Sequence, residues 1–192
     1  MNPAKRVVLN LWRRLEARKN LYHLRDQRAF APFLGQTLFE AARTWPSVLP
    51  WKWKPRTVLD VGAYRGHVAR QLSELYHPEF IGLVEPQPNM AARLESMTLA
   101  PRQKVFACAL GRGRGKAVLN VLANAPSSTL LQPASDLGSV YHRDMHIVDT
   151  VTVEVRTLDD VFSECKLDDL DLLKVDVEGY ELEVFAGGPH TL

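Results

Sequence analysis

The 192-residue sequence is poor in cysteine and has no long apolar segment. Its two cysteines, Cys108 and Cys165, are too few for a disulfide framework or a cysteine-rich metal site, and they suit a reducing cytoplasm. No run of about 18 apolar residues is present, so we predict no membrane-spanning helix. The N-terminus also lacks the continuous apolar stretch of a secretory signal. We therefore expect a cytoplasmic protein.

The net charge of +2 is small, but the charge is unevenly distributed. The first 30 residues contain eight Lys or Arg and two acidic residues, whereas the remainder contains 16 basic and 20 acidic residues. Val7, Leu11 and Leu15 recur at helical spacing within residues 3–19, which predicts a basic amphipathic helix. We favour a helix packed on the domain and expect no nucleic-acid partner. Peripheral membrane contact through residues 3–19 stays open, as does a non-catalytic binding module that docks through this helix.

Residues 1–56 are interpreted as an N-terminal helical extension, and residues 57–192 as the main domain. A second helix is predicted over residues 32–44, because its apolar residues recur at helical spacing and Pro46 would end it. The hydrophobic content of 46% is sufficient for a folded core.

A glycine-containing turn follows the first strand of the main domain. Residues 57–61 predict a short buried strand, Gly62 comes where the chain turns, and Gly66 precedes a helix. A strand, a glycine turn and a helix N-terminus form a nucleotide-binding corner, since glycine lets a ligand approach the backbone. Asp60 places a carboxylate at the end of this strand, where open α/β sheets bind ligands.

A second acidic residue ends the next strand. Residues 80–84 are apolar and lead to Glu85 and Pro86. An acidic residue about 20 positions after a glycine turn is placed to accept hydrogen bonds from ribose hydroxyls. The turn has two glycines, whereas a dinucleotide site favours three, so an NAD-dependent oxidoreductase or epimerase is the alternative interpretation.

The remaining segments continue the alternation of strands and helices. Helices are predicted over 66–76 and 88–97, and a third strand over 104–110, with Cys108 inside it as a core residue. Residues 111–116 do not match the Walker phosphate loop and are interpreted as a hairpin turn before a strand at 116–122. The order predicts an α/β protein with a doubly wound, mostly parallel sheet of Rossmann-like type.

The C-terminal part carries the candidate catalytic side chains. Residues 151–155 and 170–175 predict strands, and Thr157 with Asp160 predicts a helix-capping box. On the last strand, Lys174 and Asp176 point to the same face, and Asp176 is the expected partner of the buried lysine. Glu178 lies in the turn beyond.

His142, Asp144 and His146 cluster in the long segment 123–150. Two histidines four residues apart can share a helix face as metal ligands. No further ligands match them, so we interpret them as surface residues and predict no metal site.

Several segments together resemble the FkbM-type S-adenosylmethionine (SAM)-dependent methyltransferases. The matching segments are VLDVGAYRG at 58–66, VEPQP at 84–88, ACALG at 107–111, SSTL at 127–130, TLDD at 157–160 and LLKVDVEGYELEVFAGG at 172–188. Tyr64 and Arg65 depart from the usual Asn-containing turn. The resemblance implies a class I methyltransferase fold, SAM as cofactor, and O-methylation of a hydroxyl on a sugar, glycolipid or secondary metabolite.

The chemistry of methyl transfer and the positions of residues on the predicted strands indicate roles for individual residues. Asp176 or Glu178 would act as base or orient the acceptor hydroxyl, with Lys174 setting the local charge. A structural Lys–Asp pair is the alternative. The residues expected to hold the cofactor are Asp60, Gly62, Ala63, Gly66, Glu85, Pro86, Cys108 and Ala109.

The family's sheet has seven strands, and the last three find no counterpart in the sequence. Only 13 residues follow Gly179. We therefore expect an incomplete domain whose fourth strand is an uncovered edge.

Overall fold

The computed structural model describes residues 54–123, 128–132, 144 and 146–192, together with the backbone of Val7–Leu9. The predicted helix over 32–44 lies outside the described residues.

The larger sheet is parallel throughout its described part. Its strands are β1 (Val7–Leu9), β2 (Thr57–Val61), β3 (Phe80–Val84), β4 (Arg102–Phe106) and β8 (Leu172–Val175). They lie in the order β1-β8-β2-β3-β4, and each neighbouring pair is parallel. The predicted α/β class with a mostly parallel sheet is confirmed.

Four helices connect or follow these strands in the described part of the chain. They are α1 (His67–Tyr76), α2 (Pro88–Glu95), α3 (Leu158–Cys165) and α4 (Glu181–Ala186). Helix α3 begins at the predicted capping box: the Asp160 backbone N–H donates to Thr157 Oγ1 (3.1 Å), and the Thr157 N–H donates to the Asp160 carboxylate (3.2 Å). Pro88 occupies the first turn of α2, where a missing N–H costs nothing.

The side chains of β2 and β8 alternate between two apolar clusters on opposite faces of the sheet. Val58 and Leu172 pack with residues of α1, whereas Leu59 and Leu173 pack with residues of α3 and α4. This alternation follows the two-residue period of a strand. Helices therefore cover the central strands from both sides.

A smaller sheet lies beyond β4. Its strands are β5 (Ala109–Leu110), β6 (Gly115–Leu122) and β7 (Ile147–Arg156), in the order β5-β7-β6. Strand β7 pairs parallel with β5 and antiparallel with β6.

Two expectations for this region are wrong. The predicted strand 104–110 is two strands in different sheets, and Cys108 lies between them, because the chain leaves β4 at Phe106 and joins β7 at Ala109. Residues 111–114 are not a hairpin turn, since β7 separates β5 from β6. The strand predicted at residues 116–122 is confirmed as part of β6. A Walker phosphate loop would be followed by a helix instead.

The N-terminal segment also differs from the prediction. Residues 7–9 form a strand, not part of a helix, and pair in parallel with Leu172–Lys174. The open backbone N–H and C=O groups of β8 provide a template for this pairing, which outweighs the helical pattern. The expected uncovered edge at β8 is therefore wrong along these residues.

Candidate functional site

A cleft opens at the carboxyl ends of β2, β3 and β8. About 560 Å³ of space, open to solvent, lies between its walls. Seven of the predicted site residues line it: Gly62, Glu85, Pro86, Cys108, Ala109, Asp176 and Glu178. The other four, Asp60, Ala63, Gly66 and Lys174, lie behind the walls rather than among the lining residues.

The glycine turn is held against the neighbouring strand by backbone hydrogen bonds. The N–H groups of Gly62 and Ala63 both donate to the carbonyl of Val84, at 3.0 and 3.1 Å. Gly62 has φ +75°, and a Cβ atom there would lie 1.9 Å from the carbonyl oxygen of Asp176. Only glycine fits this point, where the ends of β2 and β8 come together.

Gly66 packs against the end of α2. It is the N-cap of α1 with φ +76°, and a Cβ there would press on side chains of Leu94 and Met97 at the end of α2. Ala63 is also buried, within the cluster that contains Ala69. Both residues shape the turn from behind.

Lys174 is buried and pairs with the strand beside it. Its Nζ lies 2.8 Å from Asp60 Oδ1 and donates to the carbonyl of Gly62 at 2.8 Å. Asp176, the partner expected from the sequence, is more distant, with 3.9 Å between Nζ and Oδ2. Because Asp60 and Lys174 are directly opposed on β2 and β8, the lysine ties the glycine turn to the last strand.

The charges of this pair depend on each other. Burial raises the pKa of the Asp60 carboxyl, and the Lys174 ammonium partly offsets that effect. Burial also acts to lower the pKa of Lys174, but the carboxylates of Asp60 and Asp176 outweigh it and raise that pKa. The lysine is therefore a fixed positive charge beneath the cleft.

Glu85 is a preoriented carboxylate in the cleft wall. Its Oε2 accepts from the Tyr64 N–H (2.8 Å) and its Oε1 from the Gln87 N–H (2.9 Å). Burial raises the pKa of this carboxyl, while the two backbone donors act to lower it. Tyr64 has φ +47°, so its left-handed backbone aims the N–H at Glu85.

The wall beyond β4 is apolar. Cys108 and Ala109 are buried there beside Leu110 and Leu119. Burial raises the pKa of the Cys108 thiol to about 12, so the thiol is neutral and acts as an apolar contact.

Asp176 and Glu178 lie on the loop between β8 and α4. The side chain of Asp176 is 43% exposed, and its backbone N–H donates to the carbonyl of Val61 at 3.0 Å. Glu178 is partly buried and has φ +53°, a conformation that costs a non-glycine residue energy. Both candidate residues therefore line the same cleft as Glu85.

The sequence alone did not single out several lining residues. These are Val61, Tyr64, Val84, Gln87, Leu110, Leu119, Ser128, Thr129, Leu130, Val177 and Tyr180. Ser128 and Thr129 belong to the long segment 123–150, and no local pattern in it indicates that Thr129 pairs with Asn120 of β6.

The predicted surface histidines are only partly described. His142 lies outside the described residues, and His146 pairs with Asp144 through Nδ1. No group of three His, Cys, Asp or Glu side chains within the described ranges is arranged to hold a metal ion. Nor is any helix of those ranges long and apolar enough to cross a membrane.

Comparison with known proteins gives the cleft a chemical context. Residues 60–192 match the family described as the methyltransferase FkbM domain. The chain belongs to the FkbM methyltransferase family. It is 32% identical over 143 residues to the 2-O-methyltransferase NoeI of Sinorhizobium fredii, an alignment that covers 70% of this chain and 58% of that protein. The chain therefore spans less than two thirds of the relative's length.

The family match begins at Asp60, so the glycine turn and the cleft residues all lie within it. No solved structure matches the chain significantly.

Proposed function

We propose that this FkbM-family chain binds SAM in the cleft and transfers its methyl group to a hydroxyl oxygen. The proposal rests on the orientation of the Glu85 carboxylate. This carboxylate accepts a hydrogen bond from the N–H of Tyr64, which lies in the glycine turn 21 residues earlier in the chain. The name of the relative, a 2-O-methyltransferase, supports an oxygen acceptor.

The lining residues fit the parts of SAM. Both Glu85 oxygens are held by backbone donors, and each retains lone pairs that can accept from a ribose diol. The apolar wall of Cys108, Ala109 and Leu119 suits an adenine ring. The tight turn at Gly62 would lie beside the methionine end.

SAM supplies an electrophilic methyl group on a positively charged sulfur. The chain's contribution is to orient the acceptor hydroxyl and to take its proton as the oxygen–carbon bond forms and the carbon–sulfur bond breaks. Asp176 and Glu178 are the proposed bases, since both residues line the cleft and each carries a carboxylate. Lys174 contributes a fixed positive charge and holds the Gly62 carbonyl.

We propose a sugar or glycolipid hydroxyl as the acceptor. Tyr64 and Tyr180 line the cleft, and aromatic rings offer flat apolar faces on which sugar rings can stack. The guanidinium of Arg65 lies 5.2 Å from the centre of the Tyr64 ring and stabilises it there.

The test is transfer of labelled methyl from SAM to a panel of methyl glycosides. We expect labelled glycoside, with the rate lowered in Asp176→Asn or Glu178→Gln while SAM affinity stays near that of the wild type. Wild-type rates in both variants would refute the base assignment. Absence of transfer to every glycoside, with SAM still bound, would refute the sugar class.

A further inference from the structure

The loop that carries Glu178 is held by hydrogen bonds from two other segments. Residues 177–179 contain two successive left-handed residues, Glu178 at φ +53° and Gly179 at φ +99°. A left-handed non-glycine residue costs about 1–2 kcal/mol and persists only where its surroundings fix it. The contacts of the loop show what fixes it.

Thr129 holds the loop from outside. Its hydroxyl donates to the carbonyl of Glu178 at 2.9 Å and accepts from the N–H of Leu131 at 3.1 Å. The side chain is buried, with 6% of the residue exposed. Its hydroxyl proton is therefore committed to the Glu178 carbonyl.

Asn120 anchors the segment that carries Thr129. Its backbone N–H and carbonyl pair with the carbonyl and N–H of Thr129 at 2.9 and 3.1 Å, and its Nδ2 donates to Leu131 O at 2.9 Å. The segment is thus joined to β6. The hydrogen bond from Thr129 therefore connects the backbone of Glu178 to the smaller sheet.

Glu181 holds the loop from the other side. Its Oε1 accepts from the N–H groups of Val177 (3.1 Å) and Gly179 (3.2 Å), on either side of Glu178. Glu181 is 8% exposed, so its carboxylate is largely used in fixing the loop rather than in contact with solvent. The two residues thus contact the backbone of the loop on both sides of Glu178, a residue that lines the cleft.

We infer that Thr129 and Glu181 are positioning residues that fix the backbone of Glu178 and so orient its carboxylate in the cleft. This inference rests on the proposed function, because it assigns the positioned carboxylate to the proposed methyl transfer. Its physical basis, two opposing sets of hydrogen bonds on a left-handed residue, can be measured without an acceptor.

The chain offers matched variants for both residues. Thr129→Val keeps the shape of the side chain but removes the hydroxyl, whereas Thr129→Ser keeps the hydroxyl. Glu181→Met removes the acceptor oxygens, whereas Glu181→Gln keeps one oxygen that can accept both N–H groups. The conservative variant should restore whatever the disruptive one loses.

The first measurement is amide hydrogen exchange of Val177 and Gly179 by NMR, on protein whose fold and SAM binding are verified. We expect exchange to be at least about tenfold faster in Glu181→Met and Thr129→Val, and near wild type in Glu181→Gln and Thr129→Ser. Unchanged exchange in both disruptive variants would overturn the inference.

The second measurement is methyl transfer to methyl glycosides at saturating SAM. We expect kcat to fall about tenfold in Thr129→Val, to recover in Thr129→Ser, and to change little when Thr129→Val is added to Glu178→Gln. A destabilising effect alone would lower both backgrounds equally, and that result would overturn the positioning role. If the wild type methylates no glycoside, the proposed acceptor class fails, and the exchange experiment decides this inference by itself.

Discussion

The substitution Gly62→Ala should disrupt both the fold near the cleft and the cofactor site. A Cβ at this position lies 1.9 Å from the Asp176 carbonyl oxygen, whereas an ordinary contact begins near 3.4 Å. The backbone of Asp176 would have to move by about 1.5 Å. That movement separates the ends of β2 and β8 and shifts the loop that carries Glu178.

Two costs add in this variant. The left-handed backbone, at φ +75°, costs an alanine about 1–2 kcal/mol, and forced repacking costs about 1–3 kcal/mol more. We expect the free energy of unfolding to fall by about 2–5 kcal/mol in total. The displaced turn should also weaken SAM binding at least tenfold, which corresponds to about 1.4 kcal/mol.

Urea unfolding and calorimetric SAM titration measure the two effects. The matched control is Gly113→Ala, because a Cβ at Gly113 meets no atom within 4 Å. We expect the control to match the wild type in both measurements, within about 0.5 kcal/mol. If Gly62→Ala is as stable as Gly113→Ala and binds SAM equally well, the described contact of the turn with β8 is wrong.

Three further predictions concern charges and thiols. Lys174→Met should lower the free energy of unfolding by about 3–5 kcal/mol in a urea assay, because it leaves a buried carboxylate unpaired. Lys104→Met breaks an exposed ion pair and should lower that free energy by at most about 1 kcal/mol in the same assay. The hydrogen bond from the Arg114 side chain is the main reason why the pKa of the Asp160 carboxyl lies below its usual value. The ionised carboxylate therefore stabilises the fold above the unfolded pKa of about 4, and this stabilisation is lost as the pH falls below that pKa. The difference in unfolding free energy between wild type and Asp160→Asn should therefore shrink between pH 6 and pH 3, and a difference that grows would contradict this assignment. Burial raises the pKa of Cys108 to about 12 and that of Cys165 to about 11. Ellman's reagent at pH 8 should therefore label neither thiol until the protein unfolds. Rapid labelling of the native protein would contradict the burial of these thiols.

The central strands could be predicted from the sequence because their signals are local. Strands β2 and β3 begin and end where expected, since each is a short apolar run followed by a polar residue at its carboxyl end. The start of α3 was equally clear, because Thr157 and Asp160 form both hydrogen bonds of a capping box without help from distant residues.

Pairings between distant segments could not be predicted. The run from Val105 to Leu110 gives no sign that the chain changes sheets at Cys108, because it is apolar on both sides of that point. The strand at Val7–Leu9 follows a helical pattern and depends on β8, which is distant in sequence.

The same limit applies to the site. Strand periodicity places Lys174 and Asp176 on one face, but only the register of β2 against β8 reveals that Asp60 is opposite Lys174. Thr129 had no functional signal of its own, because its role depends on a hydrogen bond to Glu178, 49 residues away. Charged residues in strands were therefore easier to find than the residues that orient them.

The most direct test of the proposed cofactor site is calorimetric SAM binding to the wild type, Glu85→Ala and Glu79→Ala, with NAD as the control ligand. Glu79 is a matched control because its exposed side chain pairs with Arg56 and does not line the cleft. We expect SAM to bind the wild type and Glu79→Ala equally, to bind Glu85→Ala at least tenfold more weakly, and NAD not to bind. A folded wild type that ignores SAM, or a Glu85→Ala variant that binds it as the wild type does, would contradict the proposed site.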